Sequence, residues 1–280
     1  FDVEYDLDKV ISAYRAIMEL KPDDPIAPNN LALALNMRRR WAEAEPIARR
    51  HIERGGSGTI FSQLLQAQLG QGKVREARET LKQASHADSA GVSRHFVAAG
   101  YFTAIGQYDS AQAQIDSMAV RSRDPTDQST VAAFSSAIAI TRGKLAEGAR
   151  LVHDFEAVGL RRGLPQDVLI GAASRARVLA QYGGRSAEAI RTLEEALAAH
   201  PLKSLAPLDR PYPQLATAYA IAGQPARGRA LLEEYEVQVP HGVRLADAPG
   251  REAAGQVALA EGRTQDAITA FRAWWDNTGC

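Results

Sequence analysis

Residues 72–77 read GKVREA, and the same kind of phrase returns six more times along the chain. Each copy has a glycine or a basic residue, then polar residues, then a small residue that opens an apolar stripe. The small residues lie at positions 44, 77, 111, 148, 189, 228 and 267, so successive copies are 33 to 41 residues apart. A spacing this regular indicates an array of repeated structural units.

Each repeated unit reads as two helices joined by a tight turn. Apolar residues follow Ala77 at the spacing of one helix face, and a second stripe of that kind lies upstream. The glycine of the phrase supplies a left-handed turn residue after the first helix. Prolines 28, 165, 213, 225 and 249 are predicted to lie at helix starts. Pro46 is the exception, since it falls one turn inside a helix and costs local stability.

These units resemble the tetratricopeptide repeat family. Leu215, Ala216 and Tyr219 match its first helix, and its second helix is matched by Val10, Tyr14, Ile17 and Pro22 and by Ala189, Leu193, Ala196 and Pro201. The resemblance implies an all-α, right-handed α-solenoid of about seven and a half helix-turn-helix repeats and about fifteen helices. We expect a tail over residues 1–6, a half repeat over 7–22 and seven repeats over 25–280, in a single array.

A narrower resemblance concerns residues 7–35, which are similar to the C-terminal repeat regions of bacterial multi-domain signalling proteins, notably receptor-type serine/threonine kinases. It implies an alternative role as an oligomerising or sensory arm of such a kinase or of a transcriptional regulator. We expect the chain to be a piece of a longer protein. A cytoplasmic location is expected, or an extracytoplasmic one for the outer arm of a receptor kinase.

The composition excludes several classes of partner. Lys plus Arg equals Asp plus Glu, 33 of each, so the formal net charge is zero. A zero net charge argues against nucleic-acid binding and against docking on an anionic membrane. No apolar run reaches the roughly 18 residues that span a bilayer. The acidic start of the chain has no signal-peptide pattern, and the single cysteine, Cys280, cannot form an internal disulfide.

No motif in the sequence predicts catalysis or a cofactor. Gly55, Gly56 and Gly58 lack the strand and the Gly-Lys-Ser/Thr of a phosphate-binding loop. The six histidines include no His-x-x-x-His pair and have no cysteine partners, so no metal site is predicted. No nucleophile elbow of the Gly-x-Ser-x-Gly type occurs. We therefore expect a protein that is not an enzyme, although a ligand pocket among loops 157–167, 200–213 and 240–249 is a further hypothesis.

The resemblance predicts that a peptide or partner protein binds in the concave groove lined by the first helices. The predicted lining is rich in amides, which can donate to and accept from a peptide backbone. It comprises Asn29, Asn30, Leu33, Asn36, Met37, Gln63, Gln66, Phe96, Thr103, Arg175, Gln181, Tyr182, Gln214, Thr217 and Gln256. A clamp for a chaperone tail is not expected, because only Asn30 matches the lysines and asparagines of such clamps.

Two further surfaces suggest contacts. Arginines 38, 39, 40, 49, 50 and 54 form a basic cluster, which is either a solvated face or a docking site for an acidic segment. Phe271, Trp274 and Trp275 give the last helix an apolar face, and self-association through this end is a further hypothesis.

Overall fold

The protein is built from helices. A computed structural model describes residues 7–56, 58–87 and 91–278, with all their side chains except those of residues 242, 245, 246 and 274–278. Within these ranges there are two short 3-10 turns, Leu202–Ser204 and Pro207–Asp209, and sixteen α-helices. The α-helices are α1 (Leu7–Leu20), α2 (Ala27–Met37), α3 (Trp41–Glu53), α4 (Ile60–Gly70), α5 (Val74–Ala87), α6 (Ser93–Ala104), α7 (Tyr108–Arg121), α8 (Pro125–Thr141), α9 (Leu145–Arg162), α10 (Pro165–Gln181), α11 (Ser186–Ala199), α12 (Tyr212–Ile221), α13 (Pro225–Gln238), α14 (His241–Ala246), α15 (Ala248–Ala260) and α16 (Thr264–Thr278).

Fifteen of these helices are repeat helices. Helix α1 is a half repeat, and seven pairs follow it: α2/α3, α4/α5, α6/α7, α8/α9, α10/α11, α12/α13 and α15/α16. Helix α14 is an additional short helix between the last two pairs. The prediction of an all-α array with about fifteen repeat helices is therefore confirmed, and α14 is the one helix that the repeat pattern did not predict.

One backbone hydrogen bond marks the turn inside six of the seven pairs. The residue before the second helix donates its N–H to the backbone carbonyl of the residue five places earlier. In α4/α5, for example, Lys73 donates to the carbonyl of Gln68. The same bond joins Arg40 to Leu35, Gln107 to Phe102, Lys144 to Ala139, Gln224 to Tyr219 and Arg263 to Ala258. In α10/α11 the bond runs from Arg185 to Leu179, six residues earlier. That turn is therefore one residue longer than the others.

The residue just before each donor adopts a left-handed backbone conformation, as predicted for the turn glycine. It is glycine in six turns, at positions 72, 106, 143, 184, 223 and 262, with φ between 62° and 83°. In the α2/α3 turn the residue is Arg39, the one non-glycine with positive φ among the described residues, at 55°. Its guanidinium lies 5.0 Å from the centre of the Trp41 ring, a cation–π contact that favours this conformation.

The prolines lie where the sequence predicted them. Pro165 and Pro225 are first residues of helices, and Pro28, Pro213 and Pro249 are second residues. Pro46 lies inside α3, as predicted. The three predicted long loops are partly wrong, because α9 continues to Arg162, the 3-10 turns occupy part of 200–213, and α14 occupies most of 240–249. Propensity alone did not reveal these short helical segments, whose stability depends on tertiary packing.

The described part of the polypeptide divides into two compact units, residues 7–123 and 124–274. In the N-terminal unit, α2 to α6 enclose a core that includes Ile60, Leu64 and Tyr101. In the C-terminal unit, α10 to α12 enclose a core that includes Leu193, Leu215 and Tyr219. The prediction of one continuous array over residues 1–280 stays a prediction.

A buried carboxylate joins the first two repeats of the N-terminal unit. Glu45 on α3 accepts hydrogen bonds from Arg49 at 2.8 Å, from Lys73 at 2.7 Å and from Gln71 at 2.9 Å. Burial alone would raise the pKa of Glu45, but the bonds from Lys73, Arg49 and Gln71 outweigh it and hold the pKa at about 2. Glu45 is therefore an anion that fastens α3 to the next turn.

Two buried tyrosines hold the segments that flank α12 and α14 in the C-terminal unit. Tyr212 is fully buried, and its hydroxyl donates to Glu234 at 2.7 Å and accepts from Arg210 at 2.9 Å. The Tyr235 hydroxyl donates to Asp247, between α14 and α15. Burial first, and the neighbouring Asp247 second, raise the pKa of Tyr235, so its hydroxyl stays protonated. These contacts fix the chain around the inserted helix.

Candidate partner-binding surface

The inner face of the N-terminal unit is formed by the first helices of its pairs. Helix α2 packs on α4, and α4 packs on α6. Among the described residues of this unit, the second helices α3, α5 and α7 do not pack on one another in the same way. Because the first helices lie closer together than the second helices, they are on the inside of the bend.

The shared turn hydrogen bond sets the register between first helices. Leu35, Gln68 and Phe102 accept that bond and are equivalent positions. The residues two places earlier form what we call the inner row, which in this unit is Leu33, Gln66 and Gly100. One helical turn further back, the equivalent positions are Asn29, Ser62 and Phe96.

The inner row of the N-terminal unit is open to solvent, and so is Phe96, one helical turn before Gly100. Leu33 is 40% exposed and Phe96 is 38% exposed, so both of these large apolar side chains reach the solvent. Gln66 is exposed, and its side-chain amide makes no hydrogen bond to another described residue. At Gly100 an added Cβ would meet no atom within 4 Å. We call the surface formed by Leu33, Gln66, Phe96 and Gly100 the N-terminal groove.

The two asparagines at the start of α2 are already hydrogen-bonded within the protein. Asn29 donates to Asn30 at 3.2 Å and accepts from Thr59 at 3.1 Å. Asn30 donates to the Tyr14 hydroxyl at 2.9 Å. Both side chains are half-buried. They therefore shape the edge of the N-terminal groove, and a ligand would compete with bonds that they already make.

Two predicted lining residues of this unit are buried, so the prediction that they face the groove is wrong. Asn36 has no exposed surface, and its Nδ2 donates to the backbone carbonyl of Gln63 at 2.9 Å. Gln63 is itself only 9% exposed. The cause is the close packing of α2 on α4, which turns both amides into the contact between the two helices. Met37 and Thr103 are half-buried at the ends of α2 and α6.

The first helices of the C-terminal unit expose much less of their inner face than those of the N-terminal unit. Helix α12 packs on both α10 and α15, and every residue from Tyr212 to Ala220 is buried except Gln214. The inner row here is Ala137, Arg177, Thr217 and Gln256, by the same turn register. Thr217 is only 2% exposed, so its predicted place in an open groove is wrong. Gln214 and Gln256 are half-buried.

An ion pair crosses α12 on this inner face. Arg177 Nη2 on α10 lies 3.1 Å from Glu252 Oε1 on α15, and α12 lies between these two helices. Both residues belong to the register positions that line the open groove in the N-terminal unit. The pair therefore occupies the space that a ligand would need on this unit.

Arg175 was predicted to line the groove, and the structure places it on the opposite side of α10. Its Nε donates to buried Glu156 on α9 at 2.9 Å, and its Nη1 lies 3.2 Å from His153 Nε2. Gly171 makes room for Glu156, since an added Cβ would lie 2.3 Å from its Cγ. Leu179 accepts the turn hydrogen bond from Arg185, and the residue two places before Leu179 is Arg177, so Arg177, and not Arg175, belongs to the inner row. Gln181 and Tyr182 are exposed at the end of α10.

Most arginines of the predicted basic cluster are engaged in contacts with nearby residues. Arg38 pairs with Asp8 at 2.9 Å, and Arg40 with Glu43 at 2.6 Å. Arg49 pairs with Glu45, and Arg39 stacks on Trp41. Arg50 and Arg54 form no ion pair with another described residue, and they donate to the carbonyls of Pro46 and Pro22. The structure therefore favours a solvated face over one strong acidic docking site.

The apolar face predicted for the last helix is only partly described by the structure. Phe271 is half-buried and packs against Gly255, where an added Cβ would lie 2.5 Å from its ring. The predictions for the Trp274 and Trp275 side chains fall outside the described residues. In the described part of the chain, no helix is long and apolar enough to cross a membrane, and no group of His, Cys, Asp and Glu is arranged to hold a metal ion.

Comparison with known proteins identifies the fold. No family model and no curated protein matches the sequence. A tetratricopeptide repeat protein from Parabacteroides merdae is 14% identical, with a TM-score of 0.56 over 95% of this chain and 93% of that chain. Yeast Tom70 is 15% identical, with a TM-score of 0.58 over 97% of this chain and 55% of that chain. A chain of the APC/C hetero-tetramer Cut9-Hcn1 is 15% identical, with a TM-score of 0.50 over 97% of this chain, which spans about half (50%) of that chain. The tetratricopeptide-repeat fold expected from the sequence is confirmed.

Proposed function

We propose that this chain, which has the tetratricopeptide-repeat fold, is a non-catalytic scaffold that holds a partner protein by an extended segment. The N-terminal groove is the surface that we assign to this role. The observation that carries the proposal is the exposure of Leu33 and Phe96 on the inner face, next to the unbonded amide of Gln66. Two large apolar side chains beside a free amide are the mixture that binds a peptide.

The C-terminal unit supports the choice of the N-terminal groove by contrast. Its inner face is covered by the Arg177–Glu252 pair, and α12 is almost entirely buried. A ligand there would have to break an ion pair before it reached the helices. The corresponding positions on α2, α4 and α6 hold no charged residue, so no ion pair has to break there.

The test is a selection of random peptides on the full chain, followed by affinity measurements on two variants. Phe96→Ala removes an exposed ring from α6, and Val120→Ala removes an exposed side chain from α7 of the same repeat. We expect Phe96→Ala to weaken the selected peptides by about tenfold, since buried aromatic anchors contribute most of the binding energy. Val120→Ala should leave the affinity unchanged. Equal binding by wild type and Phe96→Ala would refute the assignment of this groove.

A further inference from the structure

The first helices of the N-terminal unit differ from the second helices in charge. Helices α2 and α4 contain no Asp, Glu, Lys or Arg, whereas α3 and α5 each contain five. Helix α6 carries only Arg94 among these residue types. The Arg94 Nε donates to His95, which is buried and bonded to Gln114 on α7. The charged residues of this unit are thus concentrated on the side away from the N-terminal groove.

A groove without charge discriminates against charged ligands. A carboxylate or ammonium group that moves from water to such a surface loses hydration and finds no opposite charge. The penalty falls on any Asp, Glu, Lys or Arg that a partner would bury against Leu33 or Phe96. The exposed Gln66 amide, in contrast, can both donate to and accept from a peptide backbone.

Gly100 leaves a gap in the row of side chains that lines this groove, and we call this gap the recess. It occupies the inner-row position that holds Leu33 on α2 and Gln66 on α4, and it lacks their side chains. An added Cβ would meet nothing within 4 Å, so the space over Gly100 is open. Phe96 lies one helical turn earlier on the same helix, which gives this recess an aromatic neighbour.

We propose that the N-terminal groove selects an uncharged, extended segment of a partner protein and that the space over Gly100 receives one apolar side chain of that segment. This rests on the proposed function, because it assigns a ligand class to the same surface. Gln66 bonds the backbone of the segment, and Leu33 and Phe96 contact its apolar side chains. Specificity comes from excluding charge at the surface that the segment covers.

The experiment uses the peptides selected on the full chain and varies the salt concentration. The enriched peptides should lack charged residues in the contact stretch, and their affinity should change less than about twofold between roughly 0.05 and 0.5 M salt, because no exposed charges attract one another. Enriched peptides that carry Asp, Glu, Lys or Arg in that stretch, with affinities that fall steeply with salt, would overturn the proposal. If Phe96→Ala lost the binding of these same charged peptides, the scaffold function would still be upheld, because the peptides would depend on the groove.

The variant Gly100→Leu tests the recess directly, with Ala113→Leu as the matched control. Ala113 is exposed on α7 of the same repeat, so its replacement adds the same side chain away from the groove. Leucine favours the helix over glycine and an added Cβ meets no atom within 4 Å at Gly100, so we expect Gly100→Leu to fold, with a far-ultraviolet circular dichroism spectrum like that of wild type. We expect about tenfold weaker binding for Gly100→Leu and unchanged binding for Ala113→Leu.

Two results would overturn the assignment of the recess. Equal binding by Gly100→Leu and wild type would show that no ligand side chain enters it. A dimer of the chain, detected by light scattering and abolished by Gly100→Leu, would make a second copy the occupant in place of a partner segment. Failure to select any peptide that depends on Phe96 would instead count against the scaffold function itself.

Discussion

Two glycines six residues apart in one repeat should respond oppositely to the same substitution. Gly100 lies inside α6 with helical backbone, and Gly106 lies in the following turn with φ of 74°. An added Cβ would meet no atom within 4 Å at either position. Neither substitution should therefore cause a steric clash, and the two positions differ only in backbone conformation.

The expected magnitudes follow from that conformation. Gly100→Ala should stabilise the protein by about 1 kcal/mol, which is the helix preference of alanine over glycine. At Gly106 a left-handed alanine costs about 1–2 kcal/mol, and the smaller entropy of the unfolded chain returns roughly 0.4–1 kcal/mol. Gly106→Ala should therefore destabilise the protein by on the order of 1 kcal/mol. The two variants should differ by about 2 kcal/mol.

The assay is urea unfolding followed by far-ultraviolet circular dichroism, with wild type and both variants in parallel. The midpoints should lie on opposite sides of the wild-type value while the slopes stay equal, because neither change alters the surface exposed on unfolding. A Gly106→Ala protein as stable as wild type would refute the left-handed turn. A Gly100→Ala protein less stable than wild type would show that the space over Gly100 is occupied.

Two further predictions concern neighbouring residues of α3. Glu45→Gln should destabilise the protein by about 2 kcal/mol at neutral pH, because it removes an anion that holds three donors. The pKa of Glu45 is about 2 in the fold and 4.5 ordinarily, so this stability is present above pH 4.5 and is lost as the pH falls towards 2. Unfolding curves of the two proteins should converge below that pH, and a constant difference would contradict the pKa. Pro46→Ala should stabilise the protein by about 1–2 kcal/mol, since it restores a helical hydrogen bond, and an unchanged urea midpoint would contradict this.

The turns were predictable from the sequence because glycine and proline act locally. A left-handed residue after a helix requires glycine in six of the seven turns, and proline marks helix starts, so both could be placed without knowledge of the partners in space. Arg39 shows the limit of this rule. Its left-handed backbone is accompanied by a stack on Trp41, a contact that composition does not reveal.

The groove was only partly predictable because its register depends on contacts between repeats. Asn36 and Thr217 have polar side chains on first helices, yet tight packing buries both. The turn hydrogen bond to Leu179 places Arg177, and not Arg175, in the inner row, and counting along the sequence does not show this. The sequence did not point to Gly100, since a glycine can be recognised as a gap in the groove only when the positions of the residues around it are known.

The ion pair between Arg177 and Glu252 connects repeats that are not adjacent, because a complete repeat separates α10 from α15. In a simple repeat array each unit interacts only with the next one, and unfolding spreads inwards from an end one unit at a time. An ion pair that spans a whole repeat destabilises partly unfolded states in which only the terminal repeat has opened, because the pair is then broken. The pair is partly exposed, so it contributes up to about 1 kcal/mol, and by that amount the repeats from α10 to α16 should resist fraying better than the same repeats joined only in sequence.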